Sequence, residues 1–189
     1  MTQLGAVVLT GGSSSRMGED KASLRWDGVR AVDRITALGR AVGAIEVVTV
    51  GRLEYGPANI GDNLLSGPVG GVLLGVAALR TTCQRVLVLA VDAPTIEPDD
   101  LRPLLVSPSP GAAFEGLHLP LVLDVDALPA DLAANSSVTM LIAAARLLRL
   151  PCPDVARLRL RGANTPEERD LLLRRPAPSP SRERMSRGG

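Results

Sequence analysis

Residues 5–21 read Gly-Ala-Val-Val-Leu-Thr-Gly-Gly-Ser-Ser-Ser-Arg-Met-Gly-Glu-Asp-Lys. The aliphatic run from Gly5 to Thr10 predicts a fully buried first strand, because strands of a parallel sheet are covered on both faces. The residues that follow, 11–21, form a loop dense in glycine, serine and basic side chains, and helical spacing begins soon after it. A glycine-rich loop between a buried strand and a helix is a common binding place for phosphate. This stretch therefore predicts an α/β fold together with its ligand site.

The loop carries the groups that a triphosphate requires. Gly11 and Gly12 let backbone N–H groups approach a ligand closely, and Ser13 with the two serines after it adds hydroxyl donors. Arg16 and Lys21 supply fixed positive charge, the first as a planar fork and the second as a point charge. We therefore expect phosphate binding here. The alternative is a surface loop whose glycines and basic residues contact no ligand.

Two common nucleotide-binding motifs are absent from the sequence. A Walker A loop needs a glycine followed directly by lysine and a hydroxyl residue, whereas Glu19 and Asp20 separate Gly18 from Lys21. The glycine fingerprint of dinucleotide-binding folds does not occur either, which disfavours a dehydrogenase. No motif of a nucleophilic serine is found, so acyl transfer through a protein nucleophile has no support.

A second candidate site residue follows the strongest strand. Arg85 to Val91 is apolar on both faces and ends at Asp92. Ligands of parallel α/β sheets bind at the carboxyl ends of the strands, so we expect Asp92 to lie beside the glycine-rich loop. One carboxylate at such an edge suits Mg²⁺, which completes its coordination shell with phosphate oxygens and water. The alternative is that Asp92 only forms the turn before Pro94.

The rest of the chain alternates strands with helices, which predicts a Rossmann-like three-layer α/β/α fold with a mostly parallel sheet. The further predicted strands are Ile45–Val50, Asn59–Asp62, Ala112–Phe114, Leu119–Asp124 and Leu158–Leu160, and the predicted helices are Val29–Val42, Gly67–Leu79, Glu97–Leu105, Val138–Leu150 and a last helix capped by Thr165. We expect one domain, residues 1–174. Residues 175–189 hold mainly proline, serine, arginine and glycine, and we expect them to form a disordered tail.

Composition argues against several other classes of protein. A net charge of +1 and an aromatic content of 2% give no basis for binding nucleic acid. Cys83 and Cys152 share no metal-binding spacing and His118, the single histidine, lies in an apolar stretch, so we interpret all three as structural. The chain shows no signal peptide and no apolar run long enough to cross a bilayer. We therefore expect a cytoplasmic protein that does not bind membranes.

Residues 9–22, Leu-Thr-Gly-Gly-Ser-Ser-Ser-Arg-Met-Gly-Glu-Asp-Lys-Ala, resemble the signature loop L-x-G-G-x-S-x-R-M-G-x-D-K-A of the molybdenum cofactor guanylyltransferases, a family of the nucleotidyltransferase superfamily. Later segments resemble further motifs of that family in the same order, and the similarity extends over residues 4–173. These segments are Asp62 with Gly67–Gly71, Val91–Pro94, Leu119–Leu121 and Asn164–Glu168.

The resemblance implies a fold of the nucleotide-diphospho-sugar transferase type and a Mg²⁺-dependent enzyme. Such an enzyme transfers GMP from GTP to the phosphate of molybdopterin cofactor and releases pyrophosphate. By the same resemblance Arg16, Lys21 and Asp92 serve catalysis, Asp92 and Asn164 hold the metal, and the Gly11-Gly12 pair favours guanine. The expected nucleotide-binding residues are Leu9, Gly11, Gly12, Ser13, Lys21, Asp62 and Asp92. Other proteins of cofactor biosynthesis and molybdoenzymes are the protein partners to expect.

Departures from the family pattern keep alternatives open, and one of them is Val91, which replaces the cysteine before the aspartate. Val50 stands where the family often has a polar residue near the nucleoside, and residues 107–120 hold few polar side chains for a pterin site. One alternative is a nucleotidyltransferase with another acceptor or with CTP as donor. The other, from a different class, is a GTP-binding module without turnover. Loss of Asp92 separates the classes, because an enzyme that uses Mg²⁺ requires it, whereas a binding module can hold phosphates with the loop alone.

Overall fold

The computed structural model describes residues 2–11, 21–51, 55, 59–61, 67–163 and 165–173. In chain order the strands are β1 (Leu4–Leu9), β2 (Arg25–Trp26), β3 (Val29–Arg30), β4 (Glu46–Gly51), β5 (Asn59–Gly61), β6 (Arg85–Ala90), β7 (Gly111–Phe114), β8 (Leu121–Asp124) and β9 (Leu148–Leu150). The helices are α1 (Ala31–Ala41), α2 (Gly67–Leu79), α3 (Pro98–Leu105), α4 (Val138–Ala144), α5 (Asp154–Arg161) and α6 (Pro166–Leu173), with a 3₁₀ turn at Val125–Ala127.

Seven of these strands form one sheet in the order β5-β4-β1-β6-β8-β7-β9. The neighbours β5, β4, β1 and β6 are parallel, and β9 is parallel to β7. Among the described strands of this sheet, β8 alone runs antiparallel to its neighbours, β6 and β7. The predicted mostly parallel sheet is therefore confirmed. β2 and β3 pair with each other as a separate antiparallel hairpin.

The sheet is the middle of three layers. Alternate side chains of a strand point to opposite faces, and in β1 the side chains of Ala6 and Val8 belong to the core that includes α1, α3, α5 and α6. Val7 and Leu9 belong to the opposite core, which includes α2 and α4. Gly75 lets α2 lie close to the sheet, because a Cβ there would come within 2.5 Å of a Val7 methyl group. The α/β/α layering is thus confirmed.

Two predicted elements in the second half of the chain are wrong. Val138–Leu150 is not one helix, because α4 ends at Ala144, Arg146 takes a left-handed φ of 54°, and the chain continues as strand β9. Leu158–Leu160 lies inside helix α5 and not in a strand. That helix has an acidic first turn and a basic last turn, which the helix dipole favours.

The region before α1 contains a hairpin that the helical spacing did not predict. Val29–Arg30 forms β3, and helix α1 begins after it. Asp27 and Gly28 both have positive φ, 49° and 81°, as the two central residues of a tight hairpin turn require. Trp26 of this hairpin is buried in the same core as α1. The hairpin therefore connects the glycine-rich loop to the first helix.

The remaining predicted helices are confirmed. α2 and α3 lie within a residue of their predicted bounds, and the hydroxyl of Thr165 caps α6 by accepting a hydrogen bond from the N–H of Glu168 at 3.2 Å. Within the described ranges, no helix has the length and apolar character to cross a membrane. Residues 175–189 lie outside the described residues, so their expected disorder stays a prediction.

Candidate active site

The carboxyl ends of β1, β4 and β6 meet at one edge of the sheet. Leu9, the last residue of β1, pairs in register with Val50 of β4 and Ala90 of β6. The N–H of Val91 then donates to the carbonyl oxygen of Leu9 at 3.2 Å. This hydrogen bond brings Asp92 beside the start of the glycine-rich loop, as the strand pattern predicts.

Four of the residues assigned to the site from sequence are described: Leu9, Gly11, Lys21 and Asp92. The others lie outside the described residues, and they are Gly12, Ser13, Arg16, Asp62 and Asn164. The roles assigned to this second group stay predictions.

Among the described residues, little crowds the Cα atom of Gly11. Thr10 fixes the turn before it, because its N–H and its hydroxyl both donate to the carbonyl oxygen of Val50, at 2.9 and 3.0 Å. A Cβ on Gly11 would meet only the Cα of Gly51, at 3.8 Å, among the described atoms. Gly51, with a φ of 143°, is required by packing, since a Cβ there would lie 2.3 Å from the Thr10 hydroxyl. The nucleotide contact expected of Gly11 stays a prediction.

The side chain of Leu9 packs against helix α2, which covers one face of the sheet. Its side chain is 6% exposed, and a Cβ on Gly71 would lie 2.8 Å from its Cδ2 atom. Gly71 thus has a structural explanation, because a residue without a side chain lets α2 approach β1 closely. The nucleotide contact expected of Leu9 stays a prediction.

Asp92 is a charged residue at this edge, and the positive charge of Lys21 acts on it. The Asp92 side chain is partly buried, and burial raises the pKa of its carboxyl group. The positive charge of Lys21 and a hydrogen bond from the Asp92 backbone lower that pKa without cancelling the rise. A desolvated carboxylate gains more from a cation than an exposed one does, because little water competes for its charge. A partly buried carboxylate of this kind suits the binding of a metal ion that arrives together with a nucleotide.

The segment before Asn164 is fixed to Asp92 by backbone contacts. The N–H of Ala163 donates to the carbonyl oxygen of Asp92 at 2.9 Å. Gly162 ends helix α5 with a φ of 72°, and a Cβ there would lie 2.3 Å from the same carbonyl oxygen. Glycine is therefore needed at this position for two reasons, and the residue that precedes Asn164 is adjacent to Asp92.

Arg34 joins the segment that carries Lys21 to the loop after β6. Its Nε donates to the carbonyl oxygen of Pro94 at 3.1 Å, and its Nη1 donates to that of Trp26 at 3.0 Å. The first turn of α1 also donates an N–H to the carbonyl oxygen of Ala22 at 3.1 Å. These bonds hold the residue next to Lys21 and the loop next to Asp92 in a fixed relation.

A cavity of about 270 Å³ opens beside Asp92. Its lining comes from the end of β6 and the loop after it, the loop between β7 and β8, and the end of α5. His118 is hydrogen-bonded, as a structural histidine would be, with Nε2 lying 3.2 Å from the hydroxyl of Thr139. It is nevertheless exposed and lines this cavity. The interpretation of His118 as a purely structural residue therefore misses its position.

The described residues suit a metal ion whose other ligands are substrate phosphates and water. No group of three or more histidine, cysteine or acidic side chains is close enough to hold a metal ion within the described part of the chain. Mg²⁺ does not need such a group, because one or two carboxylates and substrate phosphates commonly hold it. Asp92 supplies one such carboxylate. Cys83 and Cys152 are buried free thiols, as expected.

Sequence reasoning missed three residues around Asp92. Arg34, Arg161 and Gly162 come from segments that carry no motif for nucleotide chemistry, and only the folded chain brings them to this edge. The one available signal was the place of Gly162, two residues before the motif that begins at Asn164.

Comparisons with known proteins agree with this geometry. The family described as the MobA-like NTP transferase domain matches residues 6–147. A relative named molybdenum cofactor guanylyltransferase, from Xanthomonas euvesicatoria, is 36% identical over 178 residues, which cover 88% of this chain and 93% of that protein.

Two solved structures show the same fold. A nucleotidyl transferase from Methanothermobacter thermautotrophicus superposes with a TM-score of 0.71 at 18% identity, over 91% of this chain and 98% of that chain. A molybdopterin-guanine dinucleotide biosynthesis protein A from Archaeoglobus fulgidus superposes with a TM-score of 0.57 at 16% identity, over 88% of this chain and 95% of that chain. These similarities confirm the nucleotide-diphospho-sugar transferase type of fold.

Proposed function

Because this chain belongs to the MobA-like NTP transferase family, we propose that it is a Mg²⁺-dependent guanylyltransferase that transfers GMP from GTP to the phosphate of molybdopterin cofactor. The observation that carries the proposal is the position of Asp92 at the carboxyl edge of the sheet, where the N–H of Val91 donates to the carbonyl oxygen of Leu9 at 3.2 Å and Asp92 follows directly, beside the start of the glycine-rich loop. A metal-binding carboxylate beside a phosphate-binding loop is the combination that nucleotidyl transfer needs. The name of the Xanthomonas relative supports the choice of substrates.

The proposed reaction needs no protein nucleophile. An oxygen of the acceptor phosphate attacks the α-phosphorus of GTP, and a new P–O bond forms. The bond between the α-phosphorus and the oxygen that bridges to the β-phosphorus breaks, and pyrophosphate leaves with its electron pair. Transfer of this kind depends on alignment and charge neutralisation more than on covalent participation of the protein.

Each site residue has a distinct part in this proposal. The backbone N–H groups at Gly11-Gly12 approach the nucleotide, and Lys21 with Arg16 neutralises its phosphates. Asp92, with Asn164 as the second expected ligand, would hold Mg²⁺, which when bound neutralises further charge on the triphosphate. The positive charge of Lys21 favours the ionised form of Asp92 and opposes the effect of its burial.

The test is pyrophosphate release by the full chain with Mg²⁺ and each of GTP, CTP, ATP and UTP, with and without molybdopterin cofactor. We expect release with GTP and only when the cofactor is present. The Asp92→Asn variant is the control, and it should bind GTP but release no pyrophosphate. Release with CTP or with another acceptor would replace the substrates, and GTP binding without release under any condition would favour the non-catalytic module. The expected cytoplasmic location and protein partners stay predictions.

A further inference from the structure

The cavity beside Asp92 combines an apolar lining with a polar rim. Its buried apolar side chains include Ile96, Leu117 and Leu160. Arg161 and His118 line it as well, and both are exposed. A cavity with this lining suits a ligand that has a ring system at one end and an anionic group at the other.

Arg161 is held at the rim by the structure on both sides of it. Two residues earlier, Arg159 anchors α5 to α3, its Nε donating to the buried carboxylate of Asp100 at 2.7 Å. The residue after Arg161 is Gly162, which lies against the Asp92 backbone. The guanidinium of Arg161 is thus supported by a fixed backbone that contacts the proposed metal-binding residue.

The guanidinium of Arg161 can bind a ligand while keeping its present partner. Its Nη2 donates to a carboxylate oxygen of Glu168 on α6, and the Arg161 side chain is 51% exposed. A guanidinium offers five N–H donors in a planar fork, which matches the oxygens of a phosphate. The ion pair with Glu168 therefore orients the fork and leaves donors on it that can reach a phosphate.

We propose that Arg161 binds the terminal phosphate of the acceptor through two N–H groups, with the acceptor's ring system in the cavity beside Asp92. This inference rests on the proposed function, because it concerns the acceptor of that reaction. It assigns the acceptor phosphate to the cavity that Arg161 and Asp92 line, and the triphosphate to Lys21 and the glycine-rich loop.

The experiment measures initial rates of pyrophosphate release by the full chain while molybdopterin and GTP are varied in turn. For Arg161→Gln we expect the KM for molybdopterin to rise about tenfold or more, because the variant loses a charge-assisted pair of hydrogen bonds to the phosphate. The Kd for GTP, measured by calorimetry, should stay within about twofold of the wild-type value. Arg80→Gln, which removes an exposed arginine at the end of α2, should change neither constant.

Two further variants separate direct binding from a structural role. Glu168→Gln breaks the same ion pair but keeps the guanidinium, so it should retain most of the affinity for molybdopterin. Arg161→Lys keeps the positive charge but loses the planar fork of donors, so it should raise the KM for molybdopterin about threefold or more. This variant tests the proposal even if Arg161→Gln fails to fold. An equal rise in Glu168→Gln and Arg161→Gln, or a wild-type KM in Arg161→Lys, would overturn the proposal. Absence of any release by the wild-type chain with GTP and molybdopterin would reject the proposed function itself.

Discussion

The Cα atom of Gly162 lies so close to the backbone of Asp92 that a Cβ there would come within 2.3 Å of the Asp92 carbonyl oxygen. The end of α5 and the loop after β6 are thus in direct backbone contact. Any side chain at position 162 must displace either Asp92 or the segment that leads to Asn164.

We predict that Gly162→Ala lowers stability by about 2 kcal/mol or more, because alanine combines a clash with an unfavourable positive φ. It should also lower kcat about tenfold or more, since the two proposed metal ligands shift apart. Urea unfolding and steady-state rates measure the two effects. Gly28→Ala is the matched control: Gly28 has a φ of 81° and, among the described residues, no neighbour within 4 Å of its would-be Cβ. It should lose stability and keep kcat, and a Gly162→Ala variant with wild-type kcat would contradict the role of this contact.

Replacement of Asp92 by asparagine should increase the stability of the ligand-free protein at neutral pH while abolishing turnover. Burial raises the pKa of Asp92 in the folded chain. A group with a raised folded pKa contributes stability that is fully present below its unfolded pKa and is lost as the pH rises through the folded pKa. At neutral pH the ionised Asp92 therefore destabilises the fold, and Asp92→Asn removes that penalty.

Thermal unfolding in the presence of a chelator, from about pH 4 to about pH 8, tests this expectation. We expect the variant to have a Tm a few degrees above the wild type at about pH 7. The difference should shrink as the pH falls, because the wild-type carboxyl group becomes protonated. A variant that is less stable by the same amount at every pH would contradict it.

Arg34 is predicted to couple the segment of Lys21 to the loop after β6. Arg34→Met removes the hydrogen bonds to Pro94 and Trp26, so we expect a loss of about 1–3 kcal/mol in stability and about tenfold in kcat/KM for GTP. The control is Asp27→Asn. Asp27 is 75% exposed and lies 3.3 Å from Arg34, and its loss leaves both carbonyl hydrogen bonds in place. Asp27→Asn should behave as the wild type, since exposed ion pairs contribute little to stability. Equal losses of stability and kcat/KM in the two variants would contradict the role of the Arg34 hydrogen bonds.

Lys21→Ala should weaken the binding of Mg²⁺-GTP about tenfold to a hundredfold, because one charged phosphate contact is lost. Calorimetric titration gives the dissociation constant directly. Arg40→Ala is the control for net charge, since Arg40 is an exposed residue in the last turn of α1. Unchanged affinity in Lys21→Ala would place the phosphates elsewhere.

Much of the sheet edge that holds Asp92 and the start of the glycine-rich loop could be predicted from the sequence. Long aliphatic runs mark buried strands, and the carboxyl ends of parallel strands meet in space, so Asp92 could be placed beside the glycine-rich loop before the fold was known. The early end of α4 could not be predicted, because Arg146 takes a positive φ where glycine or asparagine would have signalled a helix end. Asp154 and the arginines of the last turn are typical of the two ends of a helix and could have indicated α5. The alternation of apolar residues at positions 158 and 160 favoured a strand instead.

The acceptor side of the site was harder to predict for a physical reason. Arg161 and His118 reach the cavity from a helix end and a loop that are far apart in sequence. Neither lies in a glycine-rich or acidic motif, and arginine on a helix is usually a solvated residue. Their shared position follows from the packing of α5 against the sheet and from the contact of Gly162 with Asp92.

The most direct test of the central claim follows the nucleotidyl group itself. The full chain is incubated with Mg²⁺, molybdopterin cofactor and GTP labelled at the α-phosphorus, and the products are separated by chromatography and weighed by mass spectrometry. The guanylyltransferase assignment predicts that the label appears in a dinucleotide of GMP and molybdopterin while unlabelled pyrophosphate is released. A label that remains in GTP, although the chain binds GTP, would contradict it.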